Sequence, residues 1–178
     1  MWYEYQVVAD SERPQWDWVP FKNVGPLRFG QSAQEVADAL AVPLSGYDPK
    51  SRWASFTGKG IDAYFHEEKY GLAAVAVNSF RGPQVSYNNV RLVGRLPSEI
   101  TPWIEETGES LEELPPGLSG LRIATTGDPG LPGIGLVMRC QHNGDYARTR
   151  PLFVARDWAV GSMDSWEGPI PSREWGIF

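Results

Sequence analysis

The chain has 178 residues, of which 42% are hydrophobic and 21% charged, a composition that suits a single folded domain over residues 1–178 and argues against global disorder. Its formal net charge is −6, and an acidic protein repels phosphate backbones, so nucleic-acid binding is disfavoured. The 8 Trp, 15 Pro and 19 Gly residues predict many turns, short strands and broad aromatic surfaces.

Cysteine usage and hydropathy predict the compartment. Cys140 is the only cysteine, so no intrachain disulfide can form and a reducing compartment is favoured. The first residues, MWYEYQVVADSERP, have neither the basic nor the apolar region of a signal peptide. No stretch approaches the roughly 18 apolar residues of a membrane span. We therefore expect a cytoplasmic protein without a membrane partner.

The first 43 residues predict a strand, a connection and a helix. WYEYQVVA, residues 2–9, is rich in aromatic and β-branched residues and predicts a strand. The connection DSERPQWDWVPFKNVGP follows. Ser32 and Glu35 then have the spacing of a capping box, which predicts a helix that Pro43 ends.

An antiparallel meander is predicted next. Residues 51–57 and 61–66 predict a hairpin, in which Ile61, Ala63 and Phe65 share one face and Asp62, Tyr64 and His66 share the other. LAAVAVNSF, residues 72–80, is apolar on both faces and predicts a central strand. VSYNNVRLVG, residues 85–94, predicts a fourth strand.

The second half repeats this order of helix and strands. LPSEITPWIEETG predicts an amphipathic helix that begins at Pro97 or only after Thr101. Residues 119–126, 133–140 and 151–160 predict strands, with QHNGDYARTR as a polar turn. The tail, residues 161–178, is expected to pack on the surface.

These elements predict an α+β fold of antiparallel sheet with two or so short helices packed on one face. We expect a helix-plus-meander unit over about 24–94 and a second helix-plus-strands unit over about 95–160. Both belong to one domain with the packed tail.

The search for catalytic motifs gives little. HEEKY begins like a zinc-protease helix, but Tyr70 stands where a second histidine is needed. Cys140, His142 and Asp145 form the densest reactive cluster, and a thiolate–imidazole pair there is weighed against a small buried cysteine beside a polar turn. The segment TTGDPGLPGIG is read as a loop, because its prolines lack backbone donors for a phosphate. We expect no enzyme activity, metal or cofactor.

The distribution of charge is the feature that points most specifically to a function. No basic residue lies between Arg95 and Arg122, whereas six glutamates and a tryptophan do. One interpretation is a solvated helix face. The other is a docking surface for a basic protein. The candidate partner-binding residues are Glu99, Trp103, Glu105, Glu106, Glu109, Glu112 and Glu113.

The stretch VGPLRFGQSAQEVADAL, residues 24–40, followed by SRWASFTGKGIDAYFHEEKYGLAAVAV, resembles a pattern in small bacterial, often actinobacterial, proteins. In these, a glycine-capped helix precedes an antiparallel meander. Several are similar to immunity proteins of polymorphic toxin systems, and the helix with four strands also resembles the β-lactamase inhibitor protein family. This resemblance, over about residues 24–94, implies an inhibitor that binds a cognate toxin.

Two function hypotheses follow from the sequence, beside a purely structural role. The first is a non-enzymatic immunity protein that neutralises a basic toxin through the acidic, Trp-containing segment. The alternative is a small-molecule-binding or enzymatic domain with an aromatic-lined pocket. That pocket would use Trp16, Trp18, Trp53 and Tyr64, with His66 or His142 titrating in it.

Overall fold

The computed structural model describes residues 7–177 and contains twelve strands and four α-helices among them. The strands are β1 (Gln15–Val19), β2 (Asn23–Val24), β3 (Leu27–Arg28), β4 (Trp53–Phe56), β5 (Ile61–Phe65), β6 (Leu72–Val77), β7 (Gln84–Tyr87), β8 (Val90–Arg91), β9 (Arg122–Ile123), β10 (Pro129–Leu131), β11 (Leu136–Asn143) and β12 (Tyr146–Val154). The helices are α1 (Ala33–Ala39), α2 (Pro97–Ser110), α3 (Arg156–Ala159) and α4 (Ser172–Trp175).

The strands form two sheets, which confirms the α+β class. The larger sheet has the order β4-β5-β6-β12-β11-β10-β9, and every neighbouring pair in it is antiparallel. The smaller sheet has the order β3-β2-β1-β7-β8, with β1 parallel to β7. Strands from the two predicted units, β6 and β12, pair directly in the larger sheet.

Helix α1 begins where the capping box predicts. The Ser32 hydroxyl accepts the backbone N–H of Glu35 at 3.2 Å, and the Glu35 carboxylate accepts the N–H of Ser32 at 2.7 Å. Val36 and Ala37 are fully buried. The helix ends at Ala39, and Ala41 takes a positive φ of 54° before Pro43. The prediction for this segment is confirmed.

The predicted meander is confirmed over its first three strands. β4 pairs with β5, and the six residues of β6 are all buried between β5 and β12. Successive side chains of β5 point to opposite faces of the sheet, as expected for a strand. Ile61, Ala63 and Phe65 join the first core cluster, between the larger sheet, the smaller sheet, α1 and α2, whereas Tyr64 joins a second cluster on the opposite face.

Two further predictions are wrong, and a third falls mostly outside the described residues. The segment predicted as a connection contains β1 and β2; the sequence QWDWV of β1 does alternate polar and apolar residues, but Pro14 and Pro20 confine that pattern to five residues. Residues 85–94 form two strands, because Asn88 and Asn89 take positive φ values of 48° and 64° and turn the chain. Of the strand predicted over residues 2–9, residues 2–6 lie outside the described residues and 7–9 form no strand.

The last third also differs from its prediction in detail. The segment QHNGDYARTR belongs to a long hairpin of β11 and β12, with only Gly144 and Asp145 in the turn. The segment TTGDPGLPGIG, which was predicted as a loop, contains β10. Only Arg122–Ile123 of the strand predicted over residues 119–126 is extended. Residues 156–159 of the predicted 151–160 strand form α3. Helices α3 and α4 cover the second core cluster through Trp158, Ala159 and Trp175.

Candidate functional site

Helix α2 presents the predicted acidic segment to solvent. It begins at Pro97, one of the two predicted starts, and the Glu99 carboxylate accepts the N–H of Leu96 at 3.2 Å. Ile100, Ile104 and Gly108 are buried, spaced four residues apart on one side of the helix. Gly108 permits close packing, because a Cβ there would lie 2.9 Å from the Cβ of Leu121. The helix is therefore held firmly by its apolar side.

The six glutamates are all exposed. At 3.6 residues per turn, Glu99, Glu106 and Glu109 project from the side of α2 opposite to its buried stripe, and Glu105 projects from the flank. Within the described part of the chain, none of the six forms a salt bridge. We call this set the acidic surface; it consists of Glu99, Glu105, Glu106, Glu109, Glu112 and Glu113.

Trp103 does not stand free on this surface. Its ring is half-buried, packs against the first core cluster and meets Tyr87 edge-on with the ring centroids 6.3 Å apart. Only part of the indole is accessible to a partner. Trp103 therefore borders the acidic surface and also contributes to the packing of α2.

The predicted aromatic pocket does not form. Trp18 lies in the first core cluster, with its ring centroid 4.8 Å from that of Phe153, whereas Tyr64 lies in the second cluster on the opposite face. The guanidinium of Arg173 stacks over Trp53 at 3.7 Å from the ring centroid. These four aromatic residues are divided between two cores because they lie in different sheets. Trp16 and Trp18 belong to β1 of the smaller sheet and pack with the first cluster, whereas Trp53 and Tyr64 face each other across β4 and β5 and pack with the second.

A buried charged cluster, which the sequence analysis missed, holds α4 against the larger sheet. The carboxylate of Glu174 is fully buried and accepts hydrogen bonds from Arg150 and from the Tyr64 hydroxyl, the latter at 2.5 Å. Arg150 also donates to Asp62 at 2.9 Å. Burial, and then the charge of Glu174, raises the pKa of Tyr64.

Arg139 is the second buried cation of this cluster. It donates to the backbone carbonyl of Glu174 and forms salt bridges with Glu174 at 3.4 Å and with Asp128 at 3.3 Å. Burial alone would lower the pKa of Arg150, but its hydrogen bonds to Glu174 and that carboxylate's charge raise it overall. Most of its polar atoms are paired within the cluster, which makes it a structural device, but the buried Oδ1 of Asp62 accepts no hydrogen bond from the described residues and lies 3.8 Å from Nη2 of Arg173.

His66 lies in a chain of polar contacts with Trp158 and Asp157. The indole Nε1–H of Trp158 donates to Nδ1 of His66 at 3.1 Å, and Nε2 of His66 lies 3.3 Å from the Asp157 carboxylate. An indole nitrogen can only donate, so Nδ1 must accept and Nε2 carries the proton in the neutral ring. Both ring nitrogens are therefore engaged, and neither is free to bind a metal or accept a proton from a substrate.

The Cys140, His142 and Asp145 cluster is not assembled as a reactive site. Cys140 and His142 lie on one face of β11, as alternation predicts, while Asp145 lies in the turn. Burial raises the pKa of the Cys140 thiol, which disfavours the nucleophilic thiolate. Among residues 7–177, no group of three or more His, Cys, Asp or Glu side chains has the arrangement of a metal site.

Comparisons with protein families, curated proteins and solved structures found no match to this chain. No described helix combines the length and the apolar character needed to cross a membrane.

Proposed function

We propose that this chain is a non-enzymatic binding protein that neutralises a basic protein toxin by docking through the acidic surface. The observation that carries the proposal is the set of six exposed glutamates, none of which forms a salt bridge within the described chain. With no basic residue between Arg95 and Arg122, their charge is not compensated locally. A basic partner would supply that compensation.

Electrostatic complementarity accounts for what such a surface does. Opposite charges on two proteins raise the association rate constant from about 10⁵–10⁶ to as much as about 10⁸–10⁹ M⁻¹s⁻¹ at low salt. A partner whose active site is basic would be covered and blocked by the bound chain. The buried stripe of Ile100 and Ile104 keeps α2 in place, so the glutamates need little rearrangement on docking.

The surroundings of the candidate reactive groups support a non-enzymatic role. His66 has a partner on each ring nitrogen, and the pKa of Cys140 is raised. The buried carboxylate of Glu174 is neutralised by two arginines. The six glutamates, by contrast, are exposed and available to a partner.

The test is the interaction with the protein encoded by the neighbouring reading frame. We expect a complex whose association rate constant falls steeply between 50 and 500 mM NaCl. Over this range the Debye length shortens from roughly 14 to 4 Å, so the attraction between the two surfaces is screened. The triple variant Glu105→Gln, Glu106→Gln, Glu109→Gln should associate about tenfold more slowly at low salt and show a flatter salt dependence.

A charge-matched control separates the acidic surface from net charge. The variant Glu12→Gln, Asp17→Asn, Glu68→Gln removes the same three charges from exposed positions outside α2. We expect it to associate nearly as fast as the parent chain. Equal rates for the parent and the α2 variant at 50 mM NaCl would refute the docking surface.

A further inference from the structure

An open groove of about 670 Å³ lies beside the His66 chain, away from any residue of the acidic surface. We call it the His66 groove. The connection between β5 and β6 forms one wall, with the start of α3 and the segment 165–172 forming the others. The lining residues of the groove include Arg52, His66, Glu67, Asp157, Trp158 and Trp166.

A carboxylate lies beside the His66 ring in this groove. Trp158 orients the ring of His66 by donating to its Nδ1, and Nε2 on the other side of the ring lies 3.3 Å from Asp157. The rings of Trp158 and His66 also pack edge-on, with their centroids 5.4 Å apart. The side chain of Asp157 is 54% exposed, so it keeps acceptor capacity for a ligand.

A bare aromatic ring lies at the rim of the same groove. Trp166 is 89% exposed, more than any other large hydrophobic side chain among residues 7–177. Its backbone is nevertheless fixed, because the Asp164 carboxylate accepts the N–H groups of Trp166 and Glu167 at 2.8 and 3.0 Å. Ser165 is tied to Thr125 through its N–H at 3.0 Å. A fixed turn thus presents an uncovered indole to solvent.

The charges of the groove are nearly balanced. Its carboxylates are Glu67, Glu68 and Asp157, and its cations are Arg52 and Lys69. Nη1 of Arg52 lies 3.8 Å from Oε2 of Glu67, so the two side chains partly neutralise each other. With charges of both signs this close to balance, the groove offers neither a phosphate nor a polycation a strongly complementary field. The groove suits an uncharged ligand that can both donate and accept hydrogen bonds.

We propose that the His66 groove binds a neutral saccharide. A pyranose ring has an apolar face, which matches the exposed indole of Trp166, and a rim of hydroxyl groups that both donate and accept. The Asp157 carboxylate would accept from those hydroxyls, and the Arg52 guanidinium would donate to them. This site is distinct from the acidic surface, and the proposal stands independently of the toxin partner.

Titration calorimetry on the full chain tests the proposal, with cellohexaose, chitohexaose, laminarihexaose and maltohexaose as probes. We expect at least one of them to bind with a Kd of about 1 mM or tighter. Trp166→Ala should weaken that binding at least tenfold, and Trp166→Phe, which keeps a flat ring, should weaken it less. Asp157→Asn should also weaken binding, because it removes the charged acceptor.

Two controls make the outcome decisive. Tyr146→Ala removes another exposed ring, outside the groove, and should bind as the parent chain does. The triple glutamine variant of α2 should also bind the sugar normally, so failure of one proposal is distinguishable from failure of the other. A Kd weaker than about 1 mM for all four sugars would overturn the proposal. A Kd that Trp166→Ala leaves unchanged would do the same.

Discussion

The Arg150 guanidinium and the Glu174 carboxylate form a two-point ion pair in which both side chains are almost completely buried. Nε and Nη2 of Arg150 each lie 2.9 Å from a different carboxylate oxygen of Glu174. The exposed fractions of the two side chains are 1% and 0%. Such a pair contributes little net stability relative to an apolar pair, yet removal of one member leaves a buried charge uncompensated.

Glu174→Gln should therefore lower the free energy of unfolding by about 3–5 kcal/mol. The loss is expected to be large because Arg139 also depends on this carboxylate. Urea denaturation at pH 7 measures the change. Glu167→Gln, an exposed glutamate in the same tail, is the matched control and should stay within about 0.5 kcal/mol of the parent. A loss below about 1 kcal/mol for Glu174→Gln would contradict the ion-pair interpretation.

Tyr64 should make the fold sensitive to alkaline pH. Its pKa is raised in the folded chain, so its contribution to stability is complete below the unfolded value of about 10 and is lost progressively as the pH rises above it. The expected slope from this one group is about 1.4 kcal/mol per pH unit. Urea titrations between pH 8 and 11 should show a shallower fall for Tyr64→Phe than for the parent.

Tyr146→Phe serves as the control for loss of a tyrosine hydroxyl, because its ring lies on the surface. At pH 7, Tyr64→Phe should itself be less stable by about 1–3 kcal/mol, since Glu174 loses a hydrogen bond. Parallel stability curves for the parent and Tyr64→Phe above pH 10 would show that the buried hydroxyl does not control the alkaline transition.

Ser32→Ala tests the capping box of α1. The substitution removes the acceptor for the Glu35 N–H and should lower the free energy of unfolding by about 1 kcal/mol. Ser98→Ala is the control, because that serine is exposed near the start of α2 and lies outside the cap. Thermal and urea denaturation should agree. A loss no larger than that of Ser98→Ala would argue against the cap as a stabilising element.

Cys140 should react slowly with a disulfide reagent in the folded state. Its raised pKa leaves less thiolate at pH 8 than the same thiol has in the unfolded chain. We expect reaction with Ellman's reagent to be at least about tenfold slower in buffer than in 8 M urea. Faster reaction in buffer would instead support an activated cysteine and reopen the enzymatic alternative.

The local elements were predictable because their determinants lie within a few residues. Ser32 and Glu35 are three residues apart, and the turn at Gly60 connects two strands that alternate clearly. β1 was missed although QWDWV alternates, because Pro14 and Pro20 flank it and suggest a connection; its parallel pairing with the distant β7 leaves no local signal to outweigh them.

The candidate sites were only partly predictable. The exposure of the glutamates on α2 follows from helical period, as expected for an amphipathic helix. The joining of Tyr64, Arg150 and Glu174 could not be predicted, because the hydrogen-bonded partners are 24 and 110 residues apart. The exposure of Trp166 could not be predicted either, because which tryptophans are buried depends on the folded chain around them.

The position of Glu174 also has a consequence for synthesis. Arg139 and Arg150 are translated first, and their shared counterion follows Arg150 by 24 residues. Until residue 174 has been made, both guanidiniums lack the carboxylate that they share in the fold, so the second core cluster cannot reach its native packing before the segment that carries α4 is available.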